Sequence, residues 1–436
     1  MPTVSPTTLP DPYPVKPNGL HRSQGHSIRV PGSKSITNRA LVLAAMAERP
    51  FKLTGVLDSD DTRVMMTCLK DLGFQVAHDP GKEETTVSRP AGSSRIPASA
   101  AELFVGNSGT TVRFLGAMLG LGKGTYRLDG VPRMRERPIQ DLLDGLNQLG
   151  IDATSDAATG CPPIAIRSQG WSGGRIRVKA DVSSQYLSGL MLAAPFGDGE
   201  TVIEVVGEAV SEPYIAMTVA MLRDFGLVVE VKGATYRIPG PQTIKLDEYA
   251  IEPDASSASY FFAAAAITNN LVVVPRLNLN SLQGDVHFAQ VLQTMGCELR
   301  ENADGLTMIG TGTLRGIEID MNAISDTVMT LAVVACFADG PTTIANVAHI
   351  RHKETDRLSA LATELRKFGI RIDERQDGLT IHPGPMHGAT VDTYDDHRMA
   401  MSLALIGLRV PGVFINNPGC VAKTYPNFWA DFAAFQ

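Results

Sequence analysis

Several things are scarce in this chain, and each scarcity removes a class of function. Positive charge is not in excess: 39 Lys and Arg stand against 46 Asp and Glu, a formal net charge of −7. That balance argues against a general affinity for nucleic acid or anionic membrane, so an anionic ligand must be held by cations gathered locally. Long apolar runs are missing as well. The Ala-rich stretches are broken by Gly, Pro or charge within about 15 residues, too short to span a bilayer. Cysteine is sparse. Cys68, Cys161, Cys297, Cys336 and Cys420 are odd in number, scattered and without a CxxC pair. This is the pattern of reduced core thiols in a cytoplasmic protein, with neither a disulfide framework nor a zinc site. No Asp/Glu/His cluster has metal-ligand spacing. The nearest approach to a Walker loop, Gly32-Ser33-Lys34-Ser35, has the wrong upstream glycine, so neither a metal nor a nucleotide cofactor is expected. Residues 1–20 are proline-rich, without the apolar core of a secretory signal or the arginines of a transit peptide, and read as a loose arm.

What the chain has in quantity is one repeated design. Pro31-Gly32-Ser33-Lys34-Ser35-Ile36-Thr37-Asn38-Arg39 runs a Gly-containing turn into an apolar, Ala-rich helix. Helix starts carry unpaired N–H groups and the positive end of the helix dipole, and so attract anions. Lys34 and Arg39 add full charges there; alone, the stretch also reads as an ordinary Ser cap with solvated basic neighbours. It recurs, however, with Ser35, Ser108, Ser184, Ser256, Asp326 and Asp396 marking six copies at steps of 73, 76, 72, 70 and 70 residues. A second feature keeps the same beat, an amphipathic helix ending at a glycine: Leu72-Gly73, Leu149-Gly150, Phe225-Gly226, Met295-Gly296 and Phe368-Gly369. Six diverged copies of a βαβαββ unit account for nearly the whole chain. The fold class is therefore α/β, with buried Ala-rich helices and sheets outside them. At 436 residues the chain is too long for one ordinary core. Three copies per domain gives one domain of residues 1–32 and 253–436 and a second of 33–252.

Charged motifs punctuate the repeats. Arg133, Arg135 and Arg137 crowd one short loop, and forked guanidinium suits carboxylate and phosphate, though a solvated loop has the same look. Ser183-Ser184-Gln185 offers hydroxyls, an amide and helix N–H groups without a cation, a neutral phosphate cradle. Ser59-Asp60-Asp61-Thr62 reads as a helix cap, with a catalytic acidic pair as the other reading. In Arg351-His352-Lys353-Glu354-Thr355-Asp356-Arg357 a helix would put Lys353 and Arg357 on one face beside Glu354. Arg398 and Lys423 add cations, and Asp326 and Glu354 are the carboxylates able to move protons. The sum suits joining two small, multiply anionic molecules.

The ordered motifs PGSKSITNRA, GNSGTTVRF, RMRERPI, VSSQYL, DASSASYF, SDTVMT, RHKETDRL, YDDHRMAM and AKTYP resemble those of the EPSP synthase (3-phosphoshikimate 1-carboxyvinyltransferase) family, over nearly the whole chain after residue 25. The resemblance implies an inside-out α/β barrel of three units in each domain and an active site in the cleft between the domains. It implies transfer of the enolpyruvyl group of phosphoenolpyruvate to the 5-hydroxyl of shikimate 3-phosphate, by addition and elimination through a tetrahedral intermediate. The expected enzyme is monomeric and cytoplasmic, serves chorismate and aromatic amino acid synthesis, and is inhibited by glyphosate at the phosphoenolpyruvate site. Carried over, Lys34, Ser35, Arg39, Ser183, Ser184, Gln185, Ser211, Tyr214, Asp326, His349 and Lys353 would bind shikimate 3-phosphate. Lys34, Asn107, Gly109, Arg137, Gln185, Arg357, Arg398 and Lys423 would hold phosphoenolpyruvate, and Asp326, Glu354, Lys34 and Lys423 would be catalytic. His349 stands where an Asn is frequent, and Phe114 where a Pro is common. Two other readings remain: a UDP-N-acetylglucosamine enolpyruvyl transferase, which would need a reactive cysteine on a mobile loop, and a non-catalytic anion-binding protein of this fold.

Overall fold

The structure is a computed structural model describing residues 9–17 and 25–436. Among these the chain forms six small mixed sheets, five of four strands and one of three. In one, Ala100–Phe104 lies parallel to Lys123–Asp129, which is antiparallel to Ile164–Gln169, itself paired with Asp152–Ser155. Parallel neighbours cannot be joined by a tight turn, and here the crossover is the helix Gly109–Met118. All ten of its residues are buried, as are all eight of Val328–Ala335, all eleven of His397–Gly407 and all fourteen of Ala255–Thr268. A helix apolar on every side is stable only when covered on every side. Their Ala and Gly content is what lets neighbours approach that closely: at Gly189 an added Cβ would lie 2.8 Å from the Arg113 carbonyl oxygen on the adjacent helix. The amphipathic helix Gln140–Gln148, by contrast, buries one stripe only, Leu142, Leu143, Gly145 and Leu146.

Three sheets are completed by segments distant in sequence. Glu248–Ala250 lies parallel to Phe51–Thr54, and His26–Ser27 pairs with Val272 and Val273. The third closure corrects the reading of the N-terminal residues as a loose arm. Tyr13–Val15 is an antiparallel strand on Val413–Ile415, with Tyr13 opposite Ile415 and Val15 opposite Val413. Val15 is buried against Gly407, where a Cβ would stand 2.5 Å away, and the Tyr13 ring lies 4.1 Å from Trp429. Proline content misled because an edge strand tolerates proline; Pro14 sits opposite Phe414. Residues 1–8 and 18–20 of that expected arm lie outside the described residues. Contacts divide the chain into two compact units, Met1–Val30 with Ala255–Gln436, and Pro31–Asp254. Among the described residues no helix is long and apolar enough to cross a membrane.

Candidate active site

In the unit Pro31–Asp254, five helices are tied together by polar side chains. Ser33 caps Lys34–Met46 through the Ile36 N–H at 3.4 Å. Lys34 donates its backbone N–H to Asp254 at 3.0 Å, and its Nζ lies 3.4 Å from the buried Asp61. Ser59 and Thr62 form the cap of that helix, and Asp61 in its first turn faces Lys34 instead. Asn38 reaches Thr110 at 2.7 Å. Arg39, 1% exposed, donates to Thr218 Oγ1 at 2.8 Å, the Ser35 carbonyl at 2.9 Å, and both Ser188 Oγ and the Tyr214 carbonyl at 3.2 Å. Burial pulls its pKa down to about 10, with Tyr214 acting in the opposite sense. The Phe114 ring, fully buried, lies 5.1 Å from the Arg39 guanidinium, within cation–π range.

A second cluster surrounds Gly109. Arg137 donates to the Asn107 carbonyl at 3.0 Å and its Oδ1 at 3.2 Å. Arg113, which the motif reading passed over, donates to Gln185 Oε1 at 2.9 Å, the Gly109 carbonyl at 3.3 Å and the Pro138 carbonyl at 3.0 Å. A Cβ on Gly109 would stand 2.5 Å from Arg137 Nη2 and 2.7 Å from Arg113 Nη1. Only glycine leaves both guanidinium groups in place. Of the three crowded arginines, Arg137 alone joins this cluster; Arg133 pairs with Glu136 and Arg135 with Asp129, both at 2.8 Å in exposed bridges. Ser183 caps the helix Ser184–Ala193 by accepting from the Gln185 N–H, and Ser184 is buried. Ser211 begins Glu212–Asp224 in the left-handed region at φ 54°, a conformation held only where surroundings enforce it. Tyr214 follows in the first turn of that helix.

The unit containing Ala255–Gln436 holds the carboxylates. Asp326 Oδ1 accepts from Lys353 Nζ at 2.9 Å and Arg357 Nη1 at 3.3 Å, and its Oδ2 accepts from Arg398 Nη2 at 2.7 Å. Arg357 begins a helix and also donates to Glu354 Oε2 at 2.9 Å and Asp396 Oδ2 at 2.8 Å. Asp396, fully buried, caps the next helix through the Arg398 N–H at 2.9 Å. Its position immediately before an apolar helix was a readable cap signal, but its grip on Arg357 joins residues far apart in sequence. Tyr260 is a further partner that sequence reading missed, 3.3 Å from Arg398, its hydroxyl pKa raised by burial to about 12. The expected cluster of Asp326, Lys353, Glu354, Arg357 and Arg398 is thus one bonded network. Burial lowers the Lys353 pKa, against the pull of Asp326. Arg357 is held firmly charged by Asp396, Glu354 and Asp326 in spite of its burial. His349 is buried on the turn Ala348–His352, and burial, then the Lys353 charge, drives its pKa down to about 3. Lys423 is buried at the end of the turn Pro418–Lys423. Among the described residues no group of three or more His, Cys, Asp or Glu side chains could hold a metal ion.

A sequence model of the family described as EPSP synthase (3-phosphoshikimate 1-carboxyvinyltransferase) matches residues 20–432. The chain belongs to the EPSP synthase family. It is 46% identical over 414 residues to the 3-phosphoshikimate 1-carboxyvinyltransferase of Nostoc punctiforme, covering 95% of this chain and 97% of that protein. It is also 46% identical over 428 residues to the enzyme of that name in Thiobacillus denitrificans, with the same coverage. The solved EPSP synthase of Acinetobacter baumannii superposes with a TM-score of 0.80 at 27% identity, over 97% of each chain.

Proposed function

We propose that the two residue sets serve a single reaction, the transfer of the enolpyruvyl group of phosphoenolpyruvate to the 5-hydroxyl of shikimate 3-phosphate, with release of phosphate. Family membership over nearly the whole chain carries the activity, 3-phosphoshikimate 1-carboxyvinyl transfer (EC 2.5.1.19) in the shikimate pathway. The observation that carries the mechanism is Asp326 within bonding distance of Lys353, Arg357 and Arg398, with Glu354 on the same arginine. Cations on a carboxylate weaken it as a base. A multiply anionic substrate that draws those cations to itself restores the basicity of Asp326 at the moment of binding. Asp326 then takes the hydroxyl proton as oxygen attacks, and Glu354 exchanges a proton with the methylene carbon. The same cations, with Lys34 and Lys423, stabilise the departing phosphate.

Ser183, Ser184 and Gln185 cradle the shikimate phosphate, with Ser35, Ser211, Tyr214, Lys353 and His349 around the rest of that substrate. Arg39 directs its donors to four protein oxygens and serves this site by tying three helices together. Phosphoenolpyruvate is held by Lys34, Asn107, Gly109, Arg137, Gln185, Arg357, Arg398 and Lys423. The six sheets are read as six βαβαββ copies, three to a unit, and the enzyme as a cytoplasmic monomer. The cysteine-dependent alternative finds no support. Burial raises the thiols of Cys68, Cys336 and Cys420 to about 12 and Cys297 to about 11, and raises Cys161 too, the reverse of a reactive thiolate. Phosphate release from phosphoenolpyruvate, measured with shikimate 3-phosphate and separately with UDP-N-acetylglucosamine, tests the assignment. Release with the first alone is expected; release with the second alone, or with neither, overturns it.

A further inference from the structure

Outside the set assigned to substrate, Glu364 is a fully buried carboxylate with a complete ring of donors. It lies on the helix Arg357–Arg366, seven residues and two turns beyond Arg357. Its Oε1 accepts from the Tyr394 hydroxyl at 2.7 Å; its Oε2 accepts from the Asp392 N–H at 3.0 Å and from Lys367 Nζ at 2.8 Å. The segment it grips is unusual. Tyr394 and Asp395 are both left-handed, at φ 55° and 54°, which two successive residues with side chains adopt only when neighbours over-determine it. On its other side the segment is held by Asn416 Nδ2 on Asp392 at 2.7 Å and Asn417 Nδ2 on Asp395 at 3.2 Å. Asn417 in turn opens the turn Pro418–Lys423. The left-handed pair leads directly into Asp396, which holds Arg357 and caps the helix carrying Arg398. One short turn therefore stands between three elements, each bearing one cation.

We propose that Glu364 is a positioning residue: by fastening the Tyr394–Asp395 turn to the helix of Arg357, it sets the placement of Arg398 and Lys423 relative to Arg357. The proposal rests on the assignment of these three cations to phosphoenolpyruvate. Its consequence is selective, because shikimate 3-phosphate is assigned mainly to hydroxyl and amide groups of the other unit. Loosening the turn weakens one substrate and spares the other.

Two variants test this. Tyr394→Phe removes one hydrogen bond from a side chain 42% exposed, and Glu364→Ala removes the whole anchor. The KM for phosphoenolpyruvate should rise about fivefold in the first variant and more in the second, with the Kd for shikimate 3-phosphate within about twofold of the parent. Glu364→Gln, which keeps an acceptor for the Asp392 N–H, should recover part of the loss. Hydrogen exchange reads the turn without turnover: residues 391–424 should exchange faster in Glu364→Ala while residues 31–254 do not change. Unchanged exchange there overturns the proposal. So does faster exchange with both substrates affected alike, which would mark a merely structural role. A parent enzyme inactive on this substrate pair would overturn the functional assignment instead, and the exchange result would still decide whether Glu364 holds the turn.

Discussion

The two units anchor the buried arginines of the candidate site differently. Of the buried arginines at the candidate site in Pro31–Asp254, Arg39 rests on two hydroxyls and two carbonyls and Arg113 on two carbonyls and an amide, all neutral oxygens. In Ala255–Gln436 the arginines of the site rest on carboxylates: Arg357 on Asp326, Glu354 and Asp396, Arg398 on Asp326. A neutrally anchored cation keeps its whole field for an incoming anion. A carboxylate-anchored one is already balanced and must exchange partners to bind, which frees a carboxylate for proton transfer as it does so. The first arrangement suits holding a phosphate through the whole cycle. The second suits the part of the reaction in which charge and protons move.

If the anchors differ in this way, removing an arginine should cost most where it leaves carboxylates behind. Arg357→Gln removes the guanidinium from the fully buried Asp396 and should destabilise the fold by about 3–5 kcal/mol. Arg113→Gln leaves only neutral acceptors and should cost about 1–3 kcal/mol. Urea unfolding of the two variants beside the parent measures both, and equal losses would break the comparison. Next in size are the carboxylates themselves. Asp326→Asn and Glu354→Gln should each lower kcat by about 10²-fold or more, the usual scale of a general acid–base group. Shikimate 3-phosphate binding should survive better in Glu354→Gln, because Asp326 is assigned to that substrate. Near-normal turnover in either variant would remove the residue from the mechanism.

His349 sharpens the comparison through pH. It is buried beside Lys353 with a pKa of about 3, whereas an unfolded histidine titrates near 6.5. Between those values the unfolded chain binds the extra proton, so this contribution to stability is complete above about pH 6.5 and declines as pH falls. At pH 5 the loss should be about 2 kcal/mol. His349→Asn should therefore show a smaller fall in Tm between pH 8 and pH 5 than the parent. An equal fall would mean that other groups set the acid sensitivity.

Much of this was legible because it is local. Caps at Ser33, Ser108 and Ser183 and the small residues of the buried helices announce themselves within ten positions. The repeat then multiplies the signal. What stayed hidden is pairing across distance. Nothing near Tyr13–Val15 points to Val413–Ile415, and proline there argued for an arm. The same holds for the site. Asp326, Glu354 and Arg357 were named from their motifs, but Asp396 on Arg357, Arg113 on Gln185 and Asp61 beside Lys34 are meetings of residues that only the folded chain brings together. Of the three crowded arginines, composition and spacing alone do not say which turns inward; only the family resemblance singled out Arg137. Burial chose Arg137.

The smallest predicted effect lies at Phe114, on the neutral side of the comparison. Phe114 is fully buried on Gly109–Met118, the second turn of a helix whose first residue is packed between two guanidinium groups, and its ring lies against Arg39. A proline at 114 would remove a helical N–H and push against the carbonyl one turn back, at Thr110, shifting the start of the helix. The wall at Gly109 is close: the space a Cβ would need is occupied by the guanidinium ends of Arg137 and Arg113. Glyphosate is longer than phosphoenolpyruvate, so a displacement at Gly109 alters the room for the inhibitor more than for the substrate. With Phe114 the helix start is regular and the wall close, and the enzyme should be less sensitive to glyphosate than relatives bearing Pro. Phe114→Pro should therefore lower the ratio of the glyphosate inhibition constant to the KM for phosphoenolpyruvate. The variant also loses the ring against Arg39, which should raise the KM for shikimate 3-phosphate; because that term does not enter the ratio, the two consequences separate in one set of kinetics. A ratio that stays level or rises would mean that Phe114 only fills the core and that Gly109 is placed by its arginines alone.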